Sequence, residues 1–155
     1  MTHRLIIFFV IFFFSIGLKA QDSRSFIQGK QWILATEKAE KSNTLKFIPY
    51  SKDKVSLNTM VWTFLPNGRI AYDYQSSDDV EACLGVDFLD LDVDACIWRP
   101  VPNTNFILLT LKGGYASIDD FILKNEYEFQ TAEDENLEMG FELKLKKKVF
   151  FRNIN

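Results

Sequence analysis

The chain has 155 residues, 47% of them hydrophobic, 15% aromatic and 25% charged, with a formal net charge of −3. That length suits one domain able to bury roughly two-thirds of its unfolded surface. The acidic balance argues against nucleic acid as a partner, and the single histidine, His3, leaves little for histidine chemistry.

Met1-Thr2-His3-Arg4 is basic, residues 5–14 form an unbroken apolar run, and Ser15-Ile16-Gly17-Leu18-Lys19-Ala20 supplies small residues before Gln21. Basic start, short apolar middle and small-residue exit are the marks of a signal peptide cleaved near Ala20. The run is shorter than the roughly 18–20 residues a spanning helix needs, and no cysteine stands near the exit to take a lipid. The expectation is therefore residues 1–20 as signal peptide and 21–155 as one domain, secreted or periplasmic, with no stable membrane anchor after cleavage. Arg4 and Lys19 leave with the leader, so Lys plus Arg falls from 18 to 16 against 21 acids and the net charge moves from −3 to −5. His3 leaves too. Without histidine there is no Ser-His-Asp or Cys-His nucleophile pair, no histidine-ligated zinc and no histidine acid/base. In an oxidising compartment Cys83 and Cys96 are expected to pair. The bridge would close a loop of about 14 residues, worth about 3 kcal/mol in the chain-entropy model.

Period-two alternation dominates the rest of the chain. Strands are expected over 31–36 and 44–50, separated by one helical turn in which Glu37 and Lys41 sit four apart. Met60, Trp62 and Phe64 alternate up to Pro66-Asn67-Gly68, and Ile70, Tyr72 and Tyr74 alternate away from it, which predicts a hairpin. Further strands are expected over 86–93 and 105–112, the latter broken by Gly113-Gly114. Phe121, Leu123, Tyr127 and Phe129 share one face, opposed by Lys124, Glu126, Glu128 and Gln130. A polar joint at 132–136 leads to strict alternation over 137–146. Lys144 and Lys146 alternate with Leu143 and Leu145, so the lysines at 144–148 read mostly as one solvated strand face. About eight short strands and no long helix predict an all-β fold, an antiparallel up-and-down β-barrel whose closure removes exposed edges.

Asp90, Asp92 and Asp94 alternate with Leu89, Leu91, Val93 and Ala95. On a strand this is one wet acidic face. Calcium is the competing reading, helped by Asp78, Asp79 and Glu81 should the Cys83–Cys96 bridge fold the segment back. The EF-hand pattern fails, because Ala95 stands at its glycine position and Val101 at its closing glutamate position. Asp78-Asp79 and Asp119-Asp120 do not make glycosidase pairs, since neighbours on a strand face opposite ways. No enzyme and no cofactor is expected. The aromatic residues are more informative. Trp62, Phe64, Tyr72, Tyr74, Tyr127, Phe129 and Phe141 lie on inward faces, with Asn125 among them as a polar group that needs a partner. Trp62, Phe64, Tyr72, Asn125, Tyr127 and Phe141 are the candidate ligand-binding set for a small hydrophobic or amphipathic molecule. The same residues serve equally as a plain packed core. In that case the chain is a secreted interaction module presenting the acidic 78–94 face to a protein partner that the sequence does not specify.

Gly29-Lys30-Gln31-Trp32-Ile33-Leu34 resembles the first strand of lipocalin-like proteins, here with two residues between glycine and tryptophan. The Trp62-x-Phe64-x-x-Asn67-Gly68 hairpin, the Trp98 segment and the last pair of alternating strands are similar to secreted lipocalin-like domains of Bacteroidetes. The resemblance follows the order of elements over most of 26–150. It implies an up-and-down barrel closed at one end by glycine and tryptophan, with an apolar interior that binds a small ligand and performs no catalysis.

Overall fold

The computed structural model of the chain describes residues 23–36, 39–55, 59–75, 88–115, 118–134 and 136–154. A short helix, α1 (Ser23–Ile27), precedes eight strands: β1 (Gln31–Leu34), β2 (Thr44–Pro49), β3 (Thr59–Phe64), β4 (Ile70–Gln75), β5 (Ile97–Pro100), β6 (Phe106–Tyr115), β7 (Ile118–Glu133) and β8 (Met139–Ile154). They form one sheet in the order β4-β3-β1-β2-β8-β7-β6-β5, antiparallel throughout. Its two outer members meet. Arg69 and Ile97 form an antiparallel bridge, the Ile70 amide donates to the Cys96 carbonyl at 2.9 Å, and the Trp98 amide donates to the Gly68 carbonyl at 2.8 Å. The sheet thus closes into the expected all-β barrel.

From β3 to β8 the strands follow one another around the wall as an up-and-down meander. The first hairpin is inserted in reverse, with β1 beside β3 and β2 beside β8. β2 and β3 therefore run the same way on either side of β1, and the chain between them has to cross β1. Ile33 and Val61, an outward-facing cross-strand pair on that wall, are buried.

The β3–β4 turn follows its sequence signature. Gly68 takes φ +84°, its amide donates to the Leu65 carbonyl at 3.0 Å, and the Asn67 side chain accepts from the Arg69 amide at 3.0 Å. The β7–β8 turn is organised by Asp134, whose Oδ1 accepts from the Asn136 and Glu138 amides at 2.9 and 2.8 Å. Alternation then decides which side chains enter the barrel. Phe121, Leu123, Asn125, Tyr127 and Phe129 of β7 are all buried, and so are Phe141 and Leu143 of β8. α1 seals one end. Ile27 is fully buried, Phe26 stacks on Trp32 with ring centroids 5.5 Å apart, and the Trp32 indole donates to the Ile27 carbonyl at 3.1 Å.

Several expectations are corrected. Within 86–93 the described residues form no long strand. Phe88–Asp90 and Val93–Ala95 are 3-10 turns on either side of Leu91, which makes a single bridge to Gly113. The cause is local: the Asp92 side chain caps the second turn by accepting from the Asp94 amide at 3.0 Å, which competes with ladder pairing. β5 and α1 are additional to the expected elements. Gly113-Gly114 does not end β6, which runs to Tyr115 with a register shift there. Gly113 lets the ring of Phe121 approach, since a Cβ there would sit 2.5 Å from it, and Gly114 takes φ +125°. Lys144 and Lys146 both reach the polar face of β7, at Gln130 (2.9 Å) and Glu128 (2.7 Å), but register shifts near Lys146 and Val149 break the alternation beyond them. The Cys83–Cys96 bridge is not found. Cys96 is a free, buried thiol that donates to the Asp92 carbonyl at 3.0 Å. Cys83, like residues 1–20, Asp78, Asp79 and Glu81, lies outside the described residues.

Candidate ligand-binding site

The six candidate residues divide into two groups. Trp62, Phe64 and Phe141 belong to an aromatic cluster filling the barrel next to α1. Phe47 stacks on Phe141 at 4.6 Å and 13°, Trp32 meets Phe141 edge-on at 4.9 Å, and Phe129 lies 5.6 Å from Phe141. Phe64 packs edge-on against Phe141 at 5.9 Å and Trp98 at 5.5 Å, and Phe47 lies 5.3 Å from Trp62. Such contacts fall within the range of favourable ring pairs. All three side chains are therefore buried among rings. Tyr72, the cross-strand neighbour of Trp62, is half-buried against the same core.

Asn125 and Tyr127 sit higher on β7, facing Leu109 and Ile107 of β6. Asn125 is only 3% exposed. Its amide nitrogen donates to the Tyr127 hydroxyl at 3.2 Å, while its Oδ1 has no partner among the described residues. Rotating the amide exchanges nitrogen and oxygen but still leaves one end unpaired. Burial pushes the Tyr127 phenol above its ordinary range, against the lowering effect of Asn125. The Trp62 indole N–H is a second buried group without a partner. β3 and β7 stand four places apart in an eight-stranded barrel, so the orphaned donor and the orphaned acceptor rise from opposite walls. An unmet buried polar group costs about 1–3 kcal/mol, and the described residues place two such groups in the interior.

Sequence reasoning missed Phe88. Its ring lies 6.3 Å from Trp62 and 6.1 Å from Phe121, and so closes over the aromatic cluster from the 3-10 turn. The alternation of 87–94 concealed it, because a strand would have turned Phe88 to the same face as the aspartates. It also missed a groove of about 520 Å³ where β2 meets β8, lined by Ile48, Ala132 and Gly140 with Lys46, Lys54 and Glu142. Gly140 was the available signal, as glycine inside a strand marks a close backbone approach. A Cβ there would stand 2.3 Å from the Phe47 carbonyl oxygen. Both lysines of the groove are already paired with acids. Lys54 holds Glu138 at 2.7 Å and Asp134 at 3.1 Å, and Lys46 lies 3.5 Å from Glu142. The Glu138 carboxylate, assisted by Asp134, holds the Lys54 ammonium above its usual range.

The acidic row is dispersed rather than gathered. Lys112 takes Asp92 at 3.0 Å and holds its carboxyl below the usual range, while Arg69 takes Asp94 at 3.3 Å. Among the described residues no three ligating side chains converge on a point that would hold a metal. No helix among them is long and apolar enough to cross a membrane. Comparison with protein-family models, with curated proteins and with solved structures finds no match to this chain.

Proposed function

We propose that the chain is an exported binding protein that holds a small amphipathic molecule in its barrel. The ligand's polar end meets Asn125 and the Trp62 N–H, and its apolar remainder lies against the inward face that carries Leu109, Leu111 and Leu123. The observation that carries this reading is the pair of orphaned groups. A core evolved only for packing replaces an unpaired asparagine with leucine at a gain, whereas a ligand donor and acceptor returns the cost. The leader-like N-terminus and the resemblance to secreted lipocalin-like domains support the same reading.

Native mass spectrometry on protein recovered from its own export compartment tests it, comparing the chain with Asn125→Leu. The expected result is a small-molecule adduct on the chain and a bare, more stable variant. An adduct retained unchanged on Asn125→Leu overturns the assignment of Asn125. Bare protein in both, with stability raised by the substitution, favours the second reading, a solid-cored interaction module. The aromatic packing beside α1 is the observation that recommends that module.

A further inference from the structure

The outer half of β8 follows neither reading of the barrel interior. β2 pairs with β8 only as far as Lys144, with one further hydrogen bond from the Leu145 amide to the Asn43 carbonyl at 2.7 Å. From Lys146 onward, β7 is the only strand that β8 pairs with among the described residues. On this edge Val149, Phe150 and Phe151 are 53%, 45% and 58% exposed. Residues 143–155 carry five Lys or Arg and no Asp or Glu, in a chain whose net charge is −3. Lys146 is paired with Glu128 at 2.7 Å, but no ion pair joins Lys147, Lys148 or Arg152 to an acid among the described residues. Lys124 adds a further cation, its ammonium 5.7 Å from the centre of the Phe150 ring.

Edge lysines are a known means of preventing strand addition, and here that would explain Lys146, Lys147 and Lys148. It does not explain three large apolar side chains left in water beside them. An added strand from a protein partner would cover those side chains, but the register shifts near Lys146 and Val149 interrupt the regular ladder such a strand needs. A partner that requires no register, is negatively charged and accepts aromatic rings at its boundary meets every condition. We propose that the outer edge of β8 is a contact surface for an anionic lipid bilayer. Lys147, Lys148 and Arg152 engage headgroup phosphates, while Val149, Phe150 and Phe151 enter the interfacial layer. This contact is peripheral and independent of any ligand inside the barrel.

Vesicle co-sedimentation tests the proposal. The chain is mixed with vesicles of phosphatidylcholine alone or of phosphatidylcholine with phosphatidylglycerol, at low and high salt. A lysine near an anionic surface contributes about fivefold to partitioning, so Lys147→Gln with Lys148→Gln should weaken binding to the mixed vesicles about 25-fold. High salt should do likewise. Phe150→Ser with Phe151→Ser should also release the protein, at unchanged circular dichroism. The residues exchanged are exposed, and the leader-like segment is common to every sample, so the differences report on β8. Equal binding by the chain and both double variants overturns the proposal. So does binding indifferent to phosphatidylglycerol, and so does an edge that captures an acidic protein while ignoring both vesicles.

Discussion

Phe141→Ala separates a filled barrel from a hollow one. Phe141 is 1% exposed, and five rings surround it at centroid distances from 4.6 to 6.4 Å: Phe47, Trp32, Phe129, Phe64 and Phe26. Removing a buried phenyl forfeits about 1.5–3 kcal/mol of transfer free energy. In a packed interior a cavity penalty follows, giving about 3–5 kcal/mol in all. Lost ring pairs, worth about 0.5–1.5 kcal/mol each, push this site to the upper end of that range. If Phe141 instead lined an open ligand cavity, the transfer part alone would remain. Urea denaturation followed by tryptophan fluorescence gives the difference, provided the slope is unchanged. A loss of about 4–5 kcal/mol is expected, a large share of the roughly 5–15 kcal/mol that holds a domain together. A loss below about 2 kcal/mol would refute the packing argument and return Phe141 to a ligand cavity.

Other substitutions probe particular joints. Gly140→Ala drives a methyl into the Phe47 carbonyl and should lower the urea midpoint by the equivalent of about 2 kcal/mol, as overpacking does; an unchanged midpoint would mean that β2 and β8 separate freely. Leu137→Gly should stabilise the β7–β8 turn by about 1 kcal/mol, since Leu137 holds φ 62° and is 79% exposed; thermal melting reads the gain. Burial pushes the Cys96 thiol from 9.0 to about 11. Its folded pKa is therefore the higher one, so the stability it contributes is intact below pH 9 and is lost as pH rises towards 11. Linkage puts that loss at roughly 2–3 kcal/mol. Denaturation midpoints measured across that window should fall for the chain and fall less for Cys96→Ala; parallel slopes would sink the assignment.

Much of the barrel was legible because period two and turn chemistry act locally. Trp62 and Tyr72 face each other across β3 and β4 as their alternation from Pro66-Asn67-Gly68 requires. The failures share a physical cause. Asp90, Asp92 and Asp94 keep the alternation of a strand, but a side chain that caps its own backbone can defeat the ladder, and Asp92 does so. From Lys147 onward β8 departs from the face of Lys144 and Lys146 through two register shifts, which insert residues without altering composition. The reversed position of β1 and β2 leaves no local trace, because either order presents the same alternation to the core. β5 was hidden by its brevity, since four residues with Pro100 at the end hold too little alternation to register.

The candidate site was legible in kind and misjudged in distribution. Inward aromatics can be recognised from one strand at a time, but whether they leave space depends on how opposite walls meet. Phe47, Phe64, Phe129 and Phe141 come from β2, β3, β7 and β8, and their mutual distances make them a plug instead of a lining. Asn125 is the reverse case. Its position on a buried face was enough to single it out, and closure of the barrel leaves its oxygen unpaired. A packed end and a polar orphan on the wall beyond it are compatible, because a plug beside α1 confines any guest to the region around Asn125 and Tyr127. Substitutions in the plug should therefore lower stability without changing what is bound, whereas Asn125→Leu should abolish binding and raise stability.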